Sequence, residues 1–203
     1  APITVQSMTK TDSRDVEATV AQIYSYAGAG CEIVRVSVPT KKAGEVFHEI
    51  TARSPIPVVA DIHFDYRLAL VAADGGAACL RINPGNIGGQ DRVRAVVDKA
   101  GEKGIPIRIG VNGGSLEKDL LEKFGTATPE AMVESALRHL EMLEKEGFTN
   151  TKISLKASDV IRTVQAYRLL AKQVDYPFHL GVTEAGTPFG GTIRSSLGMG
   201  ILL

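Results

Sequence analysis

Seven short apolar strand patterns, each followed by a helix pattern, alternate along this 203-residue chain. The strand patterns lie near residues 3–8, 32–39, 57–63, 79–83, 106–112, 151–157 and 177–183. Helix-period patterns follow near 15–28, 41–53, 65–75, 90–103, 129–146, 159–174 and 191–203, as in the spacing of Val133, Leu137, Leu140 and Leu143. Gly30, Gly76, Gly104 and Gly147 fall just past helix patterns, where a left-handed cap ends a helix. Strict alternation of this kind implies a parallel α/β sheet, either an eight-fold barrel or an open doubly wound sheet.

Charge placement chooses between them. Glu32-Ile-Val-Arg35, Asp61-Ile-His63, Leu80-Arg81-Ile-Asn83, Ile107-Arg108-Ile, Lys152-Ile-Ser154-Leu-Lys156 and His179-Leu-Gly-Val-Thr-Glu184 carry polar residues inside or at the ends of strand patterns. An open sheet concentrates ligand chemistry at one crevice. A barrel gathers the C-terminal ends of all its strands around one mouth. The expected fold is therefore a TIM (β/α)8-type barrel over residues 1–203, one substrate-binding domain with seven βα units visible and the eighth missing.

The chain is 44% hydrophobic and has no formal net charge, which suits one large domain and argues against a nucleic-acid partner. No apolar stretch is long enough to cross a bilayer and no basic-then-apolar signal opens the chain, so a cytoplasmic location is expected. Cys31 and Cys79 lie near strand starts in no metal-ligand spacing and read as buried, reduced thiols.

Arg35, Arg81 and Arg108 each sit among aliphatic neighbours, and Lys152 and Lys156 share one strand parity with Ser154. A buried charge is costly unless it is paired or meets a ligand. Arginine suits bidentate phosphate recognition and lysine offers a compact point charge. The alternative, that every arginine pairs with an acid, is limited by the few acids in the strands, mainly Asp61, Glu184 and Glu32. The loops Asn83-Pro-Gly-Asn86-Ile-Gly88-Gly and Gly186-Thr-Pro-Phe-Gly190-Gly191-Thr192 offer glycines and polar groups directly after strands. The second leads into a helix carrying Ser195 and Ser196, and backbone N–H groups at a helix start favour phosphate.

Asp61, His63, His179 and Glu184 are the candidates for proton transfer, with Glu184 the best placed general acid or base. Asp61 and His63 alone lack the third ligand a metal site requires, and no metal is expected. His48 and His139 fall in helix patterns and read as structural, whereas Gln6-Ser7 at the end of the first strand can point into the same mouth.

The segments Gln6-Ser-Met-Thr, Asp61-Ile-His-Phe-Asp-Tyr-Arg-Leu-Ala, Arg81-Ile-Asn-Pro-Gly-Asn-Ile-Gly, Ile107-Arg-Ile-Gly-Val-Asn, Gly114-Ser-Leu-Glu-Lys and His179-Leu-Gly-Val-Thr-Glu-Ala-Gly carry a resemblance. The chain is similar to the 4-hydroxy-3-methylbut-2-enyl diphosphate synthase family of the non-mevalonate isoprenoid pathway. The resemblance implies an oxidoreductase whose barrel binds 2-C-methyl-D-erythritol 2,4-cyclodiphosphate while the ring is opened reductively with loss of water. It also implies that Arg35, Arg81, Arg108 and Lys152 or Lys156 hold the diphosphate. Asn112, His63, His179, Thr183 and Ser195 or Ser196 would complete the pocket, and Glu184 would be the catalytic acid–base residue.

The same resemblance implies a [4Fe–4S] cluster held by three cysteines and a glutamate in a separate C-terminal domain, flavodoxin or ferredoxin as electron donor, and a homodimer at full length. Cys31 and Cys79 do not supply that ligand set, so this chain is expected to grip substrate without catalysing the reduction. Gly113 stands where the family leads one to expect alanine. Two other readings are a cluster-free barrel enzyme of the pterin-synthase or sugar-phosphate aldolase kind, using Lys152 or Lys156, and a non-catalytic phosphate-ligand module.

Overall fold

Short polar side chains start the helices. Asp15, Thr40, Asp65, Thr128, Asp159 and Thr187 each accept a hydrogen bond from a backbone N–H of the first turn that follows. Such caps satisfy donors that the helix itself leaves open. At the opposite end Gly104 closes a helix at φ +64°, a left-handed conformation that favours glycine.

The structure is a computed structural model and describes residues 3–203. Its contacts group into two compact units, residues 1–108 with 146–150, and residues 109–145 with 151–203. The first contains β1 (Gln6–Met8), α1 (Val16–Gly28), β2 (Ile33–Ser37), α2 (Lys41–Arg53), β3 (Val58–Asp61) and α3 (Tyr66–Asp74). It continues through β4 (Cys79–Ile82), the single turn α4 (Pro84–Ile87), α5 (Gln90–Lys103) and the start of β5 (Ile107–Asn112).

Strands β1 to β4 pair in parallel and in sequence order, with Met8 opposite Arg35, Arg35 opposite Val59, and Asp61 opposite Arg81. Leu80 N–H donates to Pro106 C=O and brings β5 alongside β4. Alternation along β2 buries Val34 and Val36 fully and turns Arg35 to the other face. The helix-facing core of this unit includes Ile23, Phe47, Ile50, Leu80, Ile82, Val93 and Val96, all nearly free of solvent.

This sheet is strongly curled. In a flat sheet the first and fifth strands would lie about 19 Å apart, four interstrand spacings. Instead, Arg108 Nη1 of β5 donates to Gln6 Oε1 of β1 at 2.8 Å.

The second unit contains the remainder of β5, α6 (Lys118–Phe124), α7 (Pro129–Glu144), β6 (Thr151–Lys156), α8 (Val160–Leu170) and α9 (Pro188–Leu202). Ile109, Val111, Ile153 and Leu155 of the strands and Met132, Ala136, Leu140, Val164 and Leu170 of the helices are all buried in its interior. The turn after β5 is pinned to α7, where Glu117 Oε1 accepts from Ser135 Oγ at 3.1 Å and lies 2.8 Å from His139 Nε2. Burial raises the Glu117 pKa, but hydrogen bonds from His139, its own backbone N–H and Ser135 more than reverse this and hold it at about 2.

The expected elements differ from this at the single turn α4, which lies within an expected loop, and in two longer segments. The seventh strand pattern, 177–183, forms a single bridge, Phe178 to Ile153, in place of a continuous strand. Helix α6 was not expected, because seven residues with one buried apolar side chain, Leu120, are too short to show a helical period. Exposed Phe189, Ile193, Leu197 and Ile201 are spaced four residues apart along α9. Among the described residues, no helix is long and apolar enough to cross a membrane.

Candidate functional site: an arginine cluster on one carboxylate

The register places the functional side chains of the first unit. Gln6, Met8, Arg35, Asp61 and Arg81 fall at alternate positions on strands β1 to β4, and so share one sheet face. Among the described residues of this unit, Asp61 is the one acid that is buried. Its Oδ1 lies 3.1 Å from Arg81 Nη1, and its Oδ2 lies 3.6 Å from both Arg35 Nε and His63 Nε2. The Arg35 guanidinium also packs on Met8, with Nη2 2.7 Å from the sulfur.

Arg108 completes the cluster from β5. It is 1% exposed, and its Nε and Nη2 are buried without a hydrogen-bond partner among the described residues. Burial pulls its pKa down to about 10; Cys79 opposes this, while Arg35 and Arg81 push in the same direction. Arg35 is lowered by burial too, against the pull of Asp61. Two guanidiniums thus share one carboxylate, and Arg108 adds a third buried positive charge whose Nε and Nη2 are unpartnered among the described residues. Such charge is costly to keep out of water unless an anion joins it. Half-exposed His63 and partly exposed Arg35 form the accessible side, with side-chain exposures of 45% and 21%.

The second unit brings together a smaller set. Lys156 Nζ, at the last residue of β6, lies 3.2 Å from His179 Nε2. Lys152 points to the same side but sits at the start of that strand, about 13 Å away at four residues of strand rise. Asn112 ends β5, and its C=O accepts weakly from Ser115 Oγ at 3.5 Å. Thr183 N–H donates to Ala157 C=O. Glu184 is exposed and, among the described residues, is the one non-glycine residue with positive φ, at +50°. Ser195 and Ser196 lie in the body of α9, about 10 Å or more along the axis from its first residue. The helix start itself is occupied by Thr187, whose hydroxyl accepts from Gly190 N–H.

Cys31 and Cys79 are buried thiols whose sulfurs face backbone carbonyls. Among the described residues no group of three or more His, Cys, Asp or Glu is arranged to hold a metal ion. The described residues therefore do not fit an iron–sulfur cluster.

Residues 1–203 match the model of the GcpE TIM-barrel domain. The chain belongs to the GcpE TIM-barrel domain family. Two relatives are named 4-hydroxy-3-methylbut-2-en-1-yl diphosphate synthase (flavodoxin). That from Idiomarina loihiensis is 63% identical over the whole chain, which covers 55% of it. That from Haemophilus influenzae is 62% identical, with 59% of it covered. The chain thus spans little more than half the length of these relatives. Among solved structures it resembles Yersinia pestis dihydropteroate synthase, with a TM-score of 0.63, 14% identity, and 98% of this chain and 81% of that one covered. It also resembles a Thermotoga maritima phospho-2-dehydro-3-deoxyheptonate aldolase at 0.60 and 13%, covering 88% and 50%. At such identity these likenesses show the shared fold, the partial TIM barrel expected from the charged residues at the strand ends.

Sequence reading missed Met8 as the packing surface for Arg35. Its only signal is strand parity, two residues beyond Gln6 and directly opposite Arg35.

Proposed function

We propose that this family member binds a cyclic diphosphate, 2-C-methyl-D-erythritol 2,4-cyclodiphosphate, and serves its reductive opening to 4-hydroxy-3-methylbut-2-enyl diphosphate in isoprenoid synthesis. One observation carries the reading: Arg35 and Arg81 share the single carboxylate of Asp61, and buried Arg108 adds a third cation with two nitrogens unpartnered among the described residues. A dianionic phosphate ester supplies the missing charge and acceptors, and arginine's planar fork suits it. As a carbon–oxygen bond of the ring breaks, charge grows on the departing phosphate oxygen, and fixed guanidiniums stabilise it without reorganising.

His63 contributes to the open side of this cluster. In the second unit Lys156, paired with His179, offers its own cation, and we assign this role to Lys156 over Lys152 because it stands at the strand's C-terminal end. Asn112, Thr183, Ser195 and Ser196 are read as further polar contacts. Glu184 is the proton carrier, exposed and held in a left-handed backbone that sets its direction. The relatives' names support flavodoxin as electron donor. The [4Fe–4S] cluster is assigned to a part of the protein beyond these residues, and the working form is taken to be a cytoplasmic homodimer.

Calorimetric titration of the chain with the cyclodiphosphate, set against inorganic pyrophosphate, tests the reading. Saturable binding of the cyclodiphosphate that weakens when Arg81 is replaced supports it. Absence of heat at millimolar ligand would overturn it.

A further inference from the structure

Within the second unit, residues 177–183 run beside β6 in a fixed parallel register. Ile153 N–H donates to Pro177 C=O, His179 N–H to Ile153 C=O, and Thr183 N–H to Ala157 C=O. In a parallel ladder this register assigns the next donors of β6, Leu155 N–H and Ala157 N–H, to the C=O groups of His179 and Gly181. Neither donor goes there. Leu155 N–H donates to the Tyr167 hydroxyl at 3.0 Å, and that hydroxyl donates to His179 C=O at 2.6 Å. Ala157 N–H donates to Thr163 Oγ1 at 3.1 Å, and that hydroxyl donates on to Asp159 C=O at 2.8 Å.

Thr163 and Tyr167 are four residues apart on α8, so their hydroxyls leave the same helix face. They are 0% and 1% exposed. One hydroxyl sits inside a rung as a bridge and the other caps the following donor, which explains why the seventh strand stops at one bridge. The two intercepted donors flank Lys156. The neighbouring segment passes its ammonium so closely that a Cβ on Gly181 would lie 2.8 Å from Lys156 Nζ and 2.7 Å from its Cε. A side chain at 181 would therefore displace the flexible tip of this lysine from its present place.

We propose that Tyr167 and Thr163 are positioning residues that hold the seam between β6 and the 179–183 segment open, and thereby set the Lys156–His179 pair and the approach to Glu184. That the pair contacts a phosphorylated ligand rests on the function proposed above; the wedge itself does not.

The test uses the 203-residue chain with Tyr167→Phe and Thr163→Val, and Thr163→Ser as the variant that keeps its hydroxyl. Two readouts need no ligand: amide exchange at Leu155, and the nuclear magnetic resonance titration of the His179 imidazole. In Y167F, direct pairing of Leu155 with His179 should slow exchange at Leu155 and move the His179 resonances. T163V should move them too, and T163S should not. With the cyclodiphosphate as titrant, Y167F should bind about tenfold more weakly, the scale of one lost charge-assisted contact. Folded Y167F and T163V with unchanged His179 titration would overturn the wedge. If Y167F does not fold, T163V against T163S decides by the same readouts. A wild-type chain that ignores the cyclodiphosphate would remove the proposed function and leave the two ligand-free readouts to decide the wedge.

Discussion

Asp61 and Arg81 are register partners on adjacent strands, and their carboxylate and guanidinium meet at 3.1 Å in the buried face of the sheet. The same carboxylate faces Arg35, so one acid restrains two cations. Asp61→Asn should lower stability by on the order of 3 kcal/mol, the cost of leaving buried charge without its partner. Added pyrophosphate should recover part of that loss. Thermal melts of D61N with and without the anion check both; a melt indifferent to pyrophosphate would speak against an anion site here.

Arg108 predicts the opposite balance. Its guanidinium is almost wholly buried, and two of its nitrogens lack partners among the described residues. Arg108→Met should melt at or above the wild-type temperature, since an apolar chain of similar length removes the desolvated charge. Affinity for the cyclodiphosphate should fall by more than about 1.5 kcal/mol, as expected for lost charge-assisted hydrogen bonds. A stability loss with unchanged affinity would make Arg108 structural.

Glu117 should leave a signature in acid. Its folded-state pKa, held near 2 from an ordinary 4.5, means the unfolded chain binds more protons between those values. Stability from the ionised carboxylate is therefore complete above about 4.5 and is lost as pH falls towards 2. Urea midpoints of wild type and Glu117→Gln should differ most at neutral pH and converge in that window. A gap that ignores pH would show that charge on Glu117 is irrelevant.

Glu184 is testable in a protein that joins this chain to the region its longer relatives carry. Glu184→Gln should cut turnover by about a hundredfold or more, the usual scale for a proton-transfer group, while affinity changes little. Turnover at the wild-type rate would remove it from the chemistry.

Much of this architecture is visible in the residues because two periods alternate cleanly. The pattern for α2, 41–53, and for α5, 90–103, coincides with the helices themselves. The charged strand positions were legible for the same reason: Arg35 and Arg81 interrupt apolar runs, which is costly without function. Their shared dependence on Asp61 was not, since pairing between strands depends on register, and register appears in no local pattern. Residues 177–183 read as a strand because their composition is that of one. What stops the pairing is a pair of hydroxyls on α8, distant in sequence and themselves unremarkable inside a helix. Helix α6 escaped because its seven residues lean on α7 through ion pairs, Lys123 with Glu134 and Asp119 with Arg138, more than on an apolar stripe.

The bond from Arg108 to Gln6 also bears on the order of folding. Neighbouring strands join residues about one βα repeat apart, as Gln6 with Ile33, whereas this contact closes a span of 102 residues. Closing that longer loop costs on the order of 1 kcal/mol more chain entropy, so it is a late event unless earlier pairings shorten the path. Arg108 then joins the Arg35–Asp61–Arg81 group only when the sheet has finished curling. On the proposed function, full charge for a diphosphate is then assembled only in the finished sheet, so the long-range closure and the ligand site are completed together.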